Sequence, residues 1–224
     1  MIATVFNEQN SLEDYFVNKL QGNGWKFIAS ADLERDSLND PLCALTLMRA
    51  IKSINDDKEM GEEEMQKCIN ELRFTGQGQE GSKRILNLFK FGVPIKFEKD
   101  RVIRYVKIFD FEHFEHNEFV VSKQVEYQNG NEVRRADVVL YVNGIPLVII
   151  ECKNPVTYTN GWVDAYRQIK GYERDVPDPF KYIQIGVAAK TVAKYFPIVP
   201  WLDDVNVEEW KAEGKDSIDS TIDM

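Results

Sequence analysis

Three charged residues lie close together in an otherwise apolar stretch: Asp137, in Arg135-Ala136-Asp137, and the pair flanking Cys152 in Glu151-Cys152-Lys153. Their types suit phosphodiester hydrolysis. That reaction needs a water turned into a nucleophile near neutral pH, charge neutralised on the phosphate, and a stabilised leaving oxygen. A divalent ion held by carboxylates supplies all three. Mg²⁺ is the expected ion, because it prefers hard oxygen ligands and keeps several waters. Asp137 and Glu151 would be its ligands, with the Cys152 peptide carbonyl as a further one. Glu151 and Lys153 are two apart, so on a strand they share a face. Lys153 would then orient the water and stabilise the pentavalent phosphorus.

The spacing also poses a geometric problem. Asn143-Gly144 predicts a two-residue hairpin turn between the strands 133–142 and 145–152. A regular hairpin pairs Val142 with Ile145, and counting back places Asp137 opposite Ile150. Asp137 and Glu151 would then lie on opposite faces. We therefore predict an irregularity in this hairpin, placed near Asp137.

The surrounding elements must hold this hairpin. Both faces of 145–150 are apolar (Ile145, Leu147, Ile149 and Pro146, Val148, Ile150), which predicts a central strand covered on both sides. Leu12, Phe16 and Leu20 form one helical stripe, with Asn10 or Ser11 as cap and Gly22 and Gly24 as stop. Helical patterns follow over 38–55, 60–74 and 82–91, with Gly76–Gly81 as a loop. Short strands are expected at 25–28, 94–98, 102–109, 118–127 and 182–189, and a helix at 161–174. Asn154-Pro155 breaks the central strand. The order predicts an α/β fold: a mixed β-sheet flanked by helices, with a helical insertion at about 30–91. Residues 1–200 would form the domain and 201–224 an acidic tail or linker.

Composition narrows the function classes. The net charge is −9, which argues against passive nucleic-acid binding. The charge is uneven, however. Residues 201–224 hold eight acids and two bases, while 82–107 hold eight bases against Glu98 and Asp100. That basic stretch is either a local binding face or a solvated surface of mixed charge. No apolar run approaches the roughly 18–20 residues of a membrane helix, and the first residues do not resemble a secretory signal. A cytoplasmic protein with no membrane partner is expected. The three cysteines, Cys43, Cys68 and Cys152, lack C-x-x-C spacing and are expected to be reduced.

The triplet Glu-x-Lys is common by chance. The longer string ADVVLYVNGIPLVIIECKNP is far more specific. It resembles the PD-(D/E)XK nuclease superfamily, and within it the N-terminal nuclease domain of the R subunit of type I restriction enzymes. The resemblance also covers VKIFDFEHFEHNEFVVSKQ, the opening helix SLEDYFVNKLQGNGW, and Gln168-Ile169-Lys170-Gly171-Tyr172, over roughly residues 7–190. It implies a restriction-endonuclease-like core acting on double-stranded DNA. It implies that Glu13 joins the metal site and that Gln168 and Tyr172 position the DNA backbone or tune cutting. It further implies ATP-driven motor domains outside this chain, and methylation and specificity subunits as partners. Ala136 stands where the family usually has proline, and Cys152 where it usually has leucine. The alternatives are a standalone repair or resolvase-like nuclease of the same superfamily, or a silent docking module.

Other candidates carry less. Gly76-x-x-x-x-Gly81-Ser82-Lys83 departs from a phosphate-binding loop, since the lysine comes one residue late. His113 and His116 lack a third ligand and read as turn positions. Asp110, Glu112, Glu126 and Glu62–Glu64 read as surface. Trp162 and Tyr166 are expected to be buried rather than to stack on a base.

Overall fold

The computed structural model describes residues 12–99, 101–154, 161–190 and 192–209. A seven-stranded mixed sheet runs through it in the order β1 (Lys26–Phe27), β4 (Phe119–Asn129), β5 (Glu132–Val142), β6 (Ile145–Cys152), β7 (Ile185–Ala189), β8 (Ala193–Pro197), β9 (Glu208–Glu209). β1–β4 and β6–β7 pair in parallel; the other neighbours are antiparallel. β6 is the middle strand, as its two apolar faces require.

One face of the sheet is covered by α1 (Leu12–Gly22). Its buried stripe Leu12, Phe16, Val17 and Leu20 packs on Val121, Val138, Leu140 and Ile150. Each such side chain contributes about 1.5–3 kcal/mol on burial. The other face is covered by α5 (Trp162–Asp175), whose Ala165, Tyr166, Ile169 and Tyr172 pack on Val139, Tyr141, Ile149 and Ala188. The expected N-caps of α1, Asn10 and Ser11, and the break at Pro155 lie outside the described residues.

The residues between β1 and β4 build a second core. It contains α2 (Ala44–Ile54), α3 (Glu62–Arg73), α4 (Gly78–Phe91) and a separate hairpin of β2 (Val93–Lys96) and β3 (Ile103–Val106). Leu47, Ile51, Ile69, Leu72 and Ile85 pack there against Ile95, Ile108, Ile145 and Tyr182. This second core thus runs past residue 91 and includes both strands of the small sheet. Gly78–Gly81, expected to be loop, is the first turn of α4. Burial of Gly81, Ser82 and Ile85 outweighs glycine's poor helix propensity. A Cβ on Gly81 would lie 1.7 Å from the Gly76 carbonyl oxygen, so the glycine is there for close approach. The phosphate-loop alternative fails, because the segment follows a helix rather than a strand.

Part of the basic stretch is neutralised at its surface: Lys83 pairs with Glu80, Arg84 with Glu71 and Lys99 with Glu59. The packed body also extends beyond residue 200. Val205 and Val207 lie against the α5 core, and β9 pairs with β8. The expected tail is described only to Glu209. No described helix is long and apolar enough to cross a membrane.

Candidate active site

The β5–β6 hairpin is irregular, as the spacing demands, but the register shift lies elsewhere than expected. Val142 pairs with Ile145 and Tyr141 with Pro146, whereas Leu140 pairs with Val148 and Val138 with Ile150. Leu147 is the extra residue, close to the turn rather than near Asp137. Two features anchor that end. Asn143 and Gly144 have φ of 53° and 78°, as a tight turn of this hand requires. Fully buried Asn143 donates to the Ile108 carbonyl and accepts from the Glu118 N–H, both at 2.8 Å. The shift carries Asp137 to the level of Glu151.

Beyond Val138 and Ile150, β5 and β6 no longer pair. Asp137 Oδ2 accepts a 2.7 Å hydrogen bond from the Cys152 N–H across the notch. Lys153 Nζ lies 3.1 Å from Glu151 Oε1. The sequence triad therefore converges where the two strands part.

Glu151 is 1% exposed, and its Oε2 has no hydrogen-bond partner. Burial, seconded by the neighbouring Asp137 carboxylate, pushes its pKa up to about 8, with Lys153 opposing. Among the described residues no three Cys, His, Asp or Glu side chains form a ready-made metal cage. Asp137 and Glu151 could offer carboxylate oxygens to an ion that keeps much of its water shell.

Two further layers surround the triad. Lys153 Nζ donates to Gln168 Oε1, Gln168 Nε2 donates to the Tyr172 hydroxyl, and that hydroxyl donates to the Arg135 carbonyl at 3.0 Å. Gln168 and Tyr172 lie one helical turn apart on α5, so they form a chain from Lys153 back to the strand carrying Asp137. Burial pushes the Tyr172 phenol up to about 12, which keeps it a donor. On the other side, Glu13 comes from the first turn of α1. Gln124 Nε2 donates to Glu13 Oε2 at 2.7 Å and lies 3.5 Å from Asp137 Oδ1. Glu13 has a raised pKa, mainly through burial, with the Gln124 hydrogen bond opposing and Asp137 adding to the rise. Gln124 closes the string VKIFDFEHFEHNEFVVSKQ that the resemblance covers, but no spacing ties it to the site residues.

The candidates set aside fall elsewhere. His116 Nδ1 meets Asp110 Oδ2 at 2.8 Å. Asp110 was expected at the surface but is buried. It accepts from the Glu112 and His113 N–H groups at 3.0 Å each, holding the 110–117 loop. Those hydrogen bonds pull its pKa down to about 2. Glu126 is exposed. Tyr166 is buried, and its hydroxyl accepts from the Val205 N–H. All three cysteines are free thiols, Cys43 and Cys68 buried.

The family described as type I restriction enzyme R protein N terminus matches residues 5–204. A protein of Methanocaldococcus jannaschii assigned as the MjaVIIIP type I restriction enzyme endonuclease subunit is 31% identical over 195 residues, covering 85% of this chain and 18% of that protein. Its counterpart MjaIXP, from the same organism, is 29% identical over 202 residues, covering 84% and 19%. The HindI type I restriction enzyme endonuclease subunit of Haemophilus influenzae is 25% identical over 188 residues, covering 79% and 18%. The match thus spans less than a fifth of these relatives' lengths.

Proposed function

The chain belongs to the family of type I restriction enzyme R protein N termini, and from that premise we propose that it is a Mg²⁺-dependent endonuclease domain hydrolysing phosphodiester bonds of double-stranded DNA. The observation that carries the reading is the notch between β5 and β6, where Asp137, Glu151 and Lys153 meet and a buried carboxylate oxygen has no partner. These residues fit a hard divalent ion. Asp137, Glu151 and the Cys152 carbonyl would hold it, with Glu13, linked to Asp137 through Gln124, as an additional acid. When bound, it supplies Lewis acidity and an acidified water.

The chain's own groups do the rest. The Lys153 ammonium places positive charge beside the site, where it can orient a water and offset charge growing on the phosphate. Gln168 restrains Lys153 by accepting from it, and Tyr172 restrains Gln168 while anchored on the Arg135 carbonyl. Burial of Glu151 excludes bulk water from one side, which strengthens every charge interaction there. A docking module that had lost its chemistry would gain nothing from a buried Glu151 with one unpartnered oxygen beside Asp137. In this reading ATP serves motor domains outside these residues, and the domain works in the cytoplasm with methylation and specificity subunits.

The test uses the assembled enzyme on circular DNA with Mg²⁺ and ATP. Asp137→Ala and Lys153→Ala should each lower cleavage by at least about 10²-fold, on the scale of losing one pre-organised charge. ATP hydrolysis should persist. Cleavage by Asp137→Ala at the wild-type rate would sink the assignment.

A further inference from the structure

Among the described residues, four other than glycine have positive φ, and Gln124, at 56°, is the one inside a strand. Its setting is irregular in a particular way. Val120, Val125 and Tyr127 all join the core beneath α5, while Val121 joins the core beneath α1. Regular alternation would put Val120 and Val125, five apart, on opposite faces. The facing strand does the same: Ala136 and Val139, three apart, both lie in the α5-side core, with Val138 on the other side. Both strands break alternation at one rung, so the register is kept. Lys123 pairs with Val138 and Val125 with Ala136 on either side of the missing Gln124–Asp137 rung.

A glutamine is a poor choice for left-handed backbone, which favours glycine and asparagine. Its side chain explains the choice. Gln124 Nε2 reaches Glu13 Oε2 on α1 at 2.7 Å and faces Asp137 Oδ1 at 3.5 Å. Glu13 and Asp137 are both acids and come from elements far apart in the chain. The primary amide has two hydrogens to donate, so it can face both without adding a charge. A glycine would satisfy the backbone and lose this bridge. A lysine would neutralise the acids and compete with a cation.

We propose that Gln124 is a positioning residue whose amide tethers Glu13 against Asp137, so that the α1 carboxylate becomes the third acid of the metal site. The proposal rests on the metal-site reading above. Residues that orient ligands through hydrogen bonds typically change metal affinity by about 10- to 100-fold when replaced.

The test is calorimetric titration of the 224-residue chain with Mn²⁺, alongside thermal melting. Gln124→Gly keeps the backbone conformation and removes the amide, so its melting temperature should match or exceed wild type. Its Mn²⁺ dissociation constant should rise about tenfold or more. Gln124→Met, close in shape but without donors, should show the same loss of affinity. On a Glu13→Gln background, Gln124→Gly should cause little further loss, because the two act through one contact. A Gln124→Gly chain that binds Mn²⁺ within about twofold of wild type would overturn the proposal and leave Gln124 a backbone feature only. Equal Mn²⁺ binding by wild type and Asp137→Ala is a different failure. It would remove the metal-site reading and this inference with it.

Discussion

The protonation of Glu151 makes ion binding measurable without any DNA. Its pKa is pushed up to about 8, chiefly by burial. A carboxyl of that pKa is about 90% protonated at pH 7 and about 10% protonated at pH 9. A divalent ion requires the carboxylate form. Binding at pH 7 should therefore release about 0.9 proton, and at pH 9 about 0.1. Affinity should improve about tenfold per pH unit below 8 and level off above it. The sign for stability follows from the same shift. The folded pKa lies above the unfolded value of 4.5. The protonated group's contribution is thus complete below about pH 4.5 and is lost as pH rises through about 8. The assay is Mn²⁺ titration in buffers of differing ionisation enthalpy, where the slope of observed enthalpy against that quantity counts protons. Glu151→Gln is the control and should release none. A slope of zero for wild type at pH 7, with Mn²⁺ bound, would refute the claim that the buried Glu151 receives the ion.

Two further outcomes follow from the scaffold. Gly144→Ala should destabilise the chain by about 2–4 kcal/mol in urea unfolding, since its φ is +78° and a Cβ would lie 2.6 Å from the Cys43 carbonyl oxygen; an unchanged midpoint would show that the turn relaxes freely. Tyr172→Phe removes the donor to the Arg135 carbonyl and should cost about 1 kcal/mol of stability. It should also reduce DNA cleavage by the assembled enzyme, whereas cleavage at the wild-type rate would detach the phenol from Lys153.

Local chemistry made much of this readable in advance. The Leu12, Phe16, Leu20 stripe fixes α1, and the doubly apolar Ile145–Ile150 run fixes a central strand, because each depends only on nearby residues and a period. The need for an extra residue in the hairpin was countable from Asn143-Gly144 alone. Its position was not. Either strand could carry it, and the choice of Leu147 depends on the buried turn held by Cys43, Ile108 and Glu118. The β2–β3 hairpin reads as strand at 94–98 and 102–109, yet nothing in that pattern says it leaves the main sheet. The strand Ala193–Pro197 leaves little trace in the sequence, because it is five residues long and ends in proline. At the site, Asp137, Glu151 and Lys153 carry a spacing signal. The bridge from Gln124 to Glu13 spans 111 positions and has none.

The bulge at Leu147 ties the chemistry to chain length. Every residue between Tyr141 and Ile150 transmits phase, so removing or adding one anywhere in that span would turn Asp137 and Glu151 to opposite sides of the sheet. Changes of two residues would keep them together. Drift in this hairpin should therefore proceed by even steps, and a single-codon deletion there would silence the site while leaving the core composition almost untouched.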